Sequence, residues 1–300
     1  MKRLLLHVGY PKAASTTLQN GLFMQLHKRQ AIHFLGRAFE SRFYGTMASK
    51  REFKNWFRSV IQHHDADDSL GPLSDSVTNL LSEGLFMMNE RHNVEIASPG
   101  QLRDFFALKA EKLEVLLIMR AQATLIPSYY GQNYLRMKRK SLSGFIDDNV
   151  RENWTGEGKI FNLHNVVRAY ASAFGEDNVH IVLFEDLASD KQAFSSALAS
   201  ALNLPLDLIQ ESMGADHLNQ TKTDSGTVVV KKHGKRTMRY LAIQALKMVS
   251  SKAADSLRIR LPPASAAEKL AIFDAFKDSN LNLAEQFSMD KARMRDYGYF

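Results

Sequence analysis

Lys12, Ser15, Thr16 and Thr17 crowd into one short stretch, HVGYPKAASTTLQ, from His7 to Gln19. Such a set binds anions. Lysine contributes a mobile positive charge, and short hydroxyls suit a helix start, where the first amides lack intrahelical partners. A second set lies far along the chain. Arg120 follows the apolar run LEVLLIM, and Ser128 stands eight positions later, directly after Pro127. Proline is best tolerated in the first turn of a helix, so this spacing predicts a helix start with Ser128 beside its amides. Chemistry on a hydroxyl also needs a proton acceptor. Glu83, closing the run VTNLLSE, is the first candidate, with His7 and His33 as rivals.

Rigid elements must hold these side chains. LLLHV has the length and apolarity of a strand, Gly9 and Pro11 mark a turn, and Leu18, Leu22 and Leu26 recur at helical spacing. The reading is strand, tight loop, helix, with loop amides and the positive helix end facing an anion. LEVLLIM, Leu113 to Met119, reads as a strand buried on both faces, and Arg120 sits at its carboxyl end, where open α/β sheets bind ligands. Val77–Leu81 is a further strand that ends at Ser82 and Glu83 and enters a helix, so Glu83 emerges beside the loop. Ala31–Gly36 and Val179–Phe184 add strands. Helices are predicted over Ser49–His64, from the Ser98 cap onward, in SGFIDDNVRENW and FNLHNVVRAYASAF, in DKQAFSSALASALNL, over Met238–Val249, and once or twice in AEKLAIFDAFKDSNLNLAEQF. Strands alternating with helices predict an α/β fold on a parallel sheet.

The loop departs from the nucleotide triphosphate pattern G-x-x-x-x-G-K-[ST], because its lysine directly follows proline and its hydroxyls come after Ala13 and Ala14. It resembles instead the loop P-K-x-G-[ST]-[ST] of sulfotransferases, which holds the 5′-phosphosulfate of PAPS (3′-phosphoadenosine 5′-phosphosulfate). Arg120 and Ser128 have the spacing of the pair that holds the 3′-phosphate in that family. FEDL, Phe184 to Leu187, is similar to the family's Tyr-Glu-Asp-Leu strand end, and the Ser279-Asn280 pair before LAE is similar to a bacterial family tail. One departure stands in the loop: Ala14 replaces the usual glycine and would resist a left-handed backbone.

The resemblance implies a PAPS-dependent sulfotransferase that moves a sulfuryl group to a hydroxyl or amine, with a carbohydrate or glycolipid as the acceptor. It implies a single domain over 1–300, with a three-layer P-loop-NTPase-like α/β fold, a central parallel sheet and extra C-terminal helices. The cofactor half covers about 1–135; acceptor-side helices and a lid cover about 140–300. Lys12, Ala14, Ser15, Thr16 and Thr17 would hold the 5′ end, Arg120 and Ser128 the 3′-phosphate, and Lys231, Lys232 or His233 would close over the donor from the polar stretch 215–235. Lys12 and Glu83 would be catalytic, and no metal is expected. The alternatives are a small-molecule kinase, which lacks the Gly-Lys-Ser/Thr loop and a strand-end aspartate for magnesium, and a non-catalytic polyanion or nucleic-acid binder.

Composition narrows the class. Hydrophobic residues make 45% and charged residues 24% of the 300-residue chain, a globular balance. The formal net charge of +7 implies an anionic partner, and the basic runs RMKRK and KKHGKRTMR are not interleaved with the aromatics that single-strand binding favours, so nucleic acid is not expected. The chain has no cysteine, which excludes disulfides and thiolate metal sites. MKRLLLHVGY has too short an apolar run for a signal-peptide core, and no stretch reads as a transmembrane span, so the sequence points to the cytoplasm.

Overall fold

The continuous apolar runs of the sequence become the centre of a parallel sheet. The structure, a computed structural model, describes residues 1–36, 72–87, 97–134, 140–214, 228–230 and 259–300. Strands β1 (Arg3–Val8), β2 (Ile32–Gly36), β3 (Thr78–Glu83), β4 (Lys112–Met119) and β5 (Val179–Leu183) lie in the order β2-β3-β1-β4-β5. Every pairing among them is parallel. The central strands β1 and β3 are almost wholly buried, whereas the edge strands β2 and β5 are half-exposed. This is why LLL and LEVLLIM lack alternation: both faces of the inner strands are covered. Full burial of each such leucine or valine contributes about 1.5–3 kcal/mol.

Helices cover both faces. On one, α3 (Pro99–Ala107) and α6 (Leu163–Phe174) pack against β4 and each other. On the other lie α1 (Ser15–Asn20), α2 (Leu22–Lys28), α8 (Lys191–Leu202) and α9 (Leu206–Met213), with α9 bridging α2 and α8. Right-handed crossovers require this split, because β1 connects leftward to β2 while β3 connects rightward to β4. The result is a three-layer α/β fold. The remaining described helices are α4 (Gln122–Asn133), α5 (Leu142–Arg151), the single-turn α7 (Asp186–Ser189), α10 (Ala266–Gln286) and α11 (Lys291–Asp296). A short two-stranded antiparallel sheet pairs β6 (Val228–Val230) with β7 (Ile259–Leu261), and β6 lies against α4.

Local signals explain most boundaries. Ser98 and Gln101 form the capping box that starts α3, with Leu102, Phe105 and Phe106 buried beneath. Ser265 and Glu268 do the same for α10, which is one 21-residue helix rather than two. Ser279 and Asn280 therefore lie inside that helix and do not precede it. The first helix breaks at Gly21 into α1 and α2, although Leu18, Leu22 and Leu26 all face the core as their spacing demands.

At the amino ends of the strands a buried charge cluster closes the sheet. Glu114, 2% exposed, receives Arg3, Lys112 at 3.1 Å and His180 Nε2 at 3.1 Å. Arg3 also donates to the carbonyls of Ala201 and Leu202, tying the end of α8 to β1. The helices predicted over 49–64 and 238–249 lie outside the described residues, as do Lys231, Lys232 and His233. Of the stretch read as a loop over 215–235, residues 228–230 form β6.

Candidate active site

The carboxyl ends of β1 and β4 are adjacent, yet the chain leaves β1 toward one edge of the sheet and β4 toward the other. Such a topological switch point opens a crevice, and the two predicted anion-binding segments both sit at it. After Val8 the chain turns through Gly9, Tyr10, Pro11, Lys12, Ala13 and Ala14 into α1. Ala13 N–H and Ser15 Oγ both reach the carbonyl of Tyr10 at 3.4 Å, which folds the loop on itself. Lys12 (φ 62°) and Ala14 (φ 57°) are left-handed. A left-handed residue followed by a helical one turns successive amides toward one concavity, the geometry of an anion nest.

Ala14 corrects an expectation. Alanine was expected to resist a left-handed backbone, but it adopts that conformation as the residue capping α1, at a cost of about 1–2 kcal/mol that the surrounding packing meets. Ser15, Thr16 and Thr17 are the first three residues of α1, as the spacing predicts. Gly9 is required for a different reason. A Cβ there would stand 3.0 Å from Gly84 Cα and 3.2 Å from Gly84 N, so the loop and the end of β3 touch through backbone alone. The Gly9 amide donates to the Glu83 carbonyl at 3.3 Å.

Arg120, one residue beyond β4, reaches across the crevice. Nη1 donates to the Lys12 carbonyl at 3.0 Å, Nε donates to Thr124 Oγ1 at 3.0 Å, and the guanidinium lies 4.7 Å from the ring centroid of Phe184. Burial lowers its pKa, while Glu185 and Tyr299 oppose that shift, so it remains a cation. Sequence spacing alone missed Thr124, Phe184, Glu185 and Tyr299; the FEDL stretch and the aromatic tail were the available signals.

Ser128 is a second correction. Helix α4 starts at Gln122, not at Pro127, and Ala121 rather than the proline segment marks its entry. Ser128 is the seventh residue of the helix, about 9 Å along its axis from Gln122. It is half-buried and away from the helix start. Pro127 sits in the helix interior and removes one ladder hydrogen bond, a cost accepted because Leu125, Ile126, Tyr129 and Tyr130 all bury on this helix. The amide that enters α4 is already engaged: Ala121 N–H donates to Glu185 Oε1 at 2.9 Å.

The candidate bases separate by position. Glu83 lies level with Val8 at the carboxyl end of β3, beside the loop, and is 7% exposed. The segment after it is a 3-10 turn, Gly84–Phe86, so the α-helix expected there is absent among the described residues. His33 pairs with Asn79, four residues before Glu83 and therefore about 13 Å down the strand from the crevice. It is not a base for this site. His7 is completely buried, its Nδ1 2.6 Å from Ser82 Oγ, and burial pulls its pKa down to about 4. Neutral at pH 7 and sealed from solvent, it packs edge-on against Phe23 of α2, with ring centroids 5.4 Å apart.

A cavity of about 490 Å³ opens elsewhere, beyond β5, bounded by Val179, Ile181, Ala193, Phe287 and Arg293. Among the described residues its one lining cation, Arg293, already pairs with Asp186 at 3.4 Å, and its other charged groups, Glu176, Asp177 and Asp290, are carboxylates, so volume alone does not make it a site for an anionic donor. Among the described residues no group of three His, Cys, Asp or Glu side chains is placed to hold a metal, and no helix is long and apolar enough to cross a membrane.

The architecture has solved counterparts. The chain is similar to the crystal structure of a sulfotransferase from Alicyclobacillus acidocaldarius, with a TM-score of 0.52 at 11% identity, over 98% of this chain and 99% of that one. The fold is one that a sulfotransferase uses. Matches to the sulfotransferase domain of the Synechococcus PCC 7002 olefin synthase (13% identity, TM-score 0.39, 96% of this chain and 94% of that one) and to that of the curacin biosynthetic pathway (12%, 0.41, 97% and 99%) are looser. No protein-family model matches the chain, and no curated protein matches it in sequence.

Proposed function

We propose that this chain is a PAPS-dependent sulfotransferase that transfers a sulfuryl group to a hydroxyl of a carbohydrate or glycolipid acceptor. The observation that carries the reading is the contact between Arg120 and the Lys12 carbonyl at the switch point, which joins two anion-binding segments over one crevice. A donor with a phosphosulfate at one end and a 3′-phosphate at the other needs two such sites within one nucleoside's length.

The residues present fit that donor. The left-handed Lys12 and Ala14 form a cradle, and the close backbone contact of Gly9 with Gly84, which a side chain at Gly9 would break, holds that loop against the end of β3. The donor supplies the activated sulfuryl group and a stable bisphosphate leaving group. Loop amides and the hydroxyls of Ser15, Thr16 and Thr17 hold its 5′ end. The Arg120 guanidinium, over the Phe184 ring, presents a fork suited to the 3′-phosphate. With Ser128 away from the α4 start, Thr124, already bonded to Arg120, is the nearer hydroxyl for that phosphate.

Sulfuryl transfer, like phosphoryl transfer, spreads negative charge over equatorial oxygens, so positioning and electrostatic stabilisation do most of the catalytic task. Lys12 supplies positive charge where that charge develops. Glu83, beside the loop and largely screened from water, accepts the proton of the attacking hydroxyl. Incubation with PAPS and a panel of glycan and small hydroxyl or amine acceptors, read by mass detection, tests the reading. A product heavier by one sulfuryl group together with adenosine 3′,5′-bisphosphate is the expected outcome; failure of the protein to bind adenosine 3′,5′-bisphosphate at all would sink it.

A further inference from the structure

Glu185 is a half-buried carboxylate that the proposed reaction does not use, and it lies beside the arginine that the reaction needs. Its Oε1 accepts the Ala121 N–H at 2.9 Å and its Oε2 accepts the Tyr299 hydroxyl at 3.0 Å. Glu185 and Arg120 attract each other electrostatically. An internal anion therefore lies near the guanidinium that would receive an external one. Yet the guanidinium donates to Thr124 and to the Lys12 carbonyl, and both oxygens of Glu185 are engaged elsewhere.

We infer that Tyr299 is a positioning residue for Arg120: by holding Glu185 Oε2, it keeps the carboxylate off the guanidinium and leaves that fork open to an incoming phosphate. This rests on the reading of Arg120 as a phosphate-binding residue. Without the Tyr299 hydroxyl, a half-buried carboxylate oxygen loses its donor, an unfavourable state. Rotation onto the cation that attracts it relieves it. That cation is Arg120, and a fork pairing with Glu185 would occupy the donors a phosphate requires.

The surroundings make Tyr299 a fixed support. It is 1% exposed, and its carbonyl accepts Asn280 Nδ2 at 2.8 Å. Asn280 in turn exchanges two amide bonds with Gln122, at 3.0 and 2.9 Å, in the first turn of α4. The 297–300 segment is thus stapled to the helix that follows Arg120. Burial and the neighbouring Glu185 push the Tyr299 phenol well above its ordinary pKa, so it remains a donor throughout the working range. Tyr297 provides an internal control, since its hydroxyl donates at 2.8 Å to Asp186 and not to Glu185.

The test titrates wild type, Tyr299→Phe, Tyr297→Phe and Arg120→Ala with adenosine 3′,5′-bisphosphate and with adenosine 5′-monophosphate by calorimetry, alongside thermal melts. Tyr299→Phe keeps the ring and should weaken the bisphosphate about tenfold while leaving the monophosphate within about twofold. Tyr297→Phe should lower the melt and leave the ratio of the two affinities unchanged. Glu185→Gln placed in the Tyr299→Phe background should restore bisphosphate affinity, because a neutral amide does not compete as an ion. An unchanged ratio in Tyr299→Phe, with the ratio collapsed in Arg120→Ala, would overturn the inference and spare the phosphate reading. Equal losses in both tyrosine variants, or no rescue by Glu185→Gln, would also overturn it. An unchanged ratio in Arg120→Ala removes the phosphate reading and the inference together.

Discussion

Arg120 Nη1 donates to the main-chain carbonyl of Lys12 at 3.0 Å, linking the end of β4 to the loop after β1. The acceptor is a backbone oxygen, so this contact pairs Arg120 with no counter-ion. It also fixes the guanidinium plane, which rests on Phe184.

The plane makes Arg120→Lys a non-conservative change. Lysine restores a point charge but cannot bond Thr124, the Lys12 carbonyl and a phosphate together. Arg120→Ala should weaken adenosine 3′,5′-bisphosphate roughly ten- to a hundredfold, and Arg120→Lys should recover only a few-fold of that loss. Calorimetry decides; full recovery by lysine would reduce the site to simple charge.

Lys12→Ala should cost about 10² to 10³ in transfer rate with the melt unchanged, because the side chain is exposed and stabilises charge rather than packing. Alanine at this left-handed position meets the same backbone strain as lysine, so the comparison is clean. Single-turnover rates beside melting curves give the answer, and a rate within a few-fold of wild type would remove Lys12 from the mechanism.

Glu83→Gln preserves shape and cannot take a proton, so turnover should fall by about 10² or more while bisphosphate affinity barely changes. The competing role is a structural carboxylate at the end of β3. That role predicts a normal rate with a lowered melting temperature, and measuring both on one sample separates the two.

The glycines at the loop should behave unequally. A methyl at Gly9 meets Gly84 backbone at 3.0 Å, whereas one at Gly84 finds only the Gly9 carbonyl at 3.7 Å, an ordinary contact. Gly9→Ala should lower both the melting temperature and bisphosphate affinity; Gly84→Ala should alter neither much. Equal tolerance of the two changes would mean that the loop and β3 do not touch as described.

Stability should fall with acid in two stages. The His7 pKa drops on folding from 6.5 to about 4, because burial penalises the charged ring. Its contribution is complete above pH 6.5 and is lost as pH falls toward 4, about 3 kcal/mol in all. Glu114 drops from 4.5 to about 2, since the hydrogen bonds of His180, Arg3 and Lys112 outweigh its burial; its contribution is lost between those values. Denaturant titrations from pH 7 to pH 4 should slope downward, and His7→Leu should flatten that slope. A slope retained in the variant would assign the effect to another group.

Much of this protein is legible in its residues. The runs LLLHV and LEVLLIM specify inner parallel strands because no alternation survives when both faces are covered. Ser98 with Gln101 marks a helix start through short-range hydrogen bonds that any such segment can make. The loop chemistry of Lys12 through Thr17 and the strand-end position of Arg120 follow from the same local rules. Where those rules failed, a longer-range gain had overridden a local preference. Pro127 would begin a helix by itself, but the apolar side chains around it are worth burying on a helix that starts earlier. Ala14 would avoid a left-handed backbone in isolation, but the loop closes between two fixed elements and leaves it no other path. The surroundings of Arg120 were beyond local rules altogether: Lys12, the adjacent Phe184 and Glu185, and Tyr299 come from three separate segments, and only the strand order β2-β3-β1-β4-β5 and the packing of the tail bring them to one crevice. Sequence determined which groups are chemically suited to anions; tertiary structure decided which of them meet at one crevice, because distance along the chain carries no information about distance across a sheet.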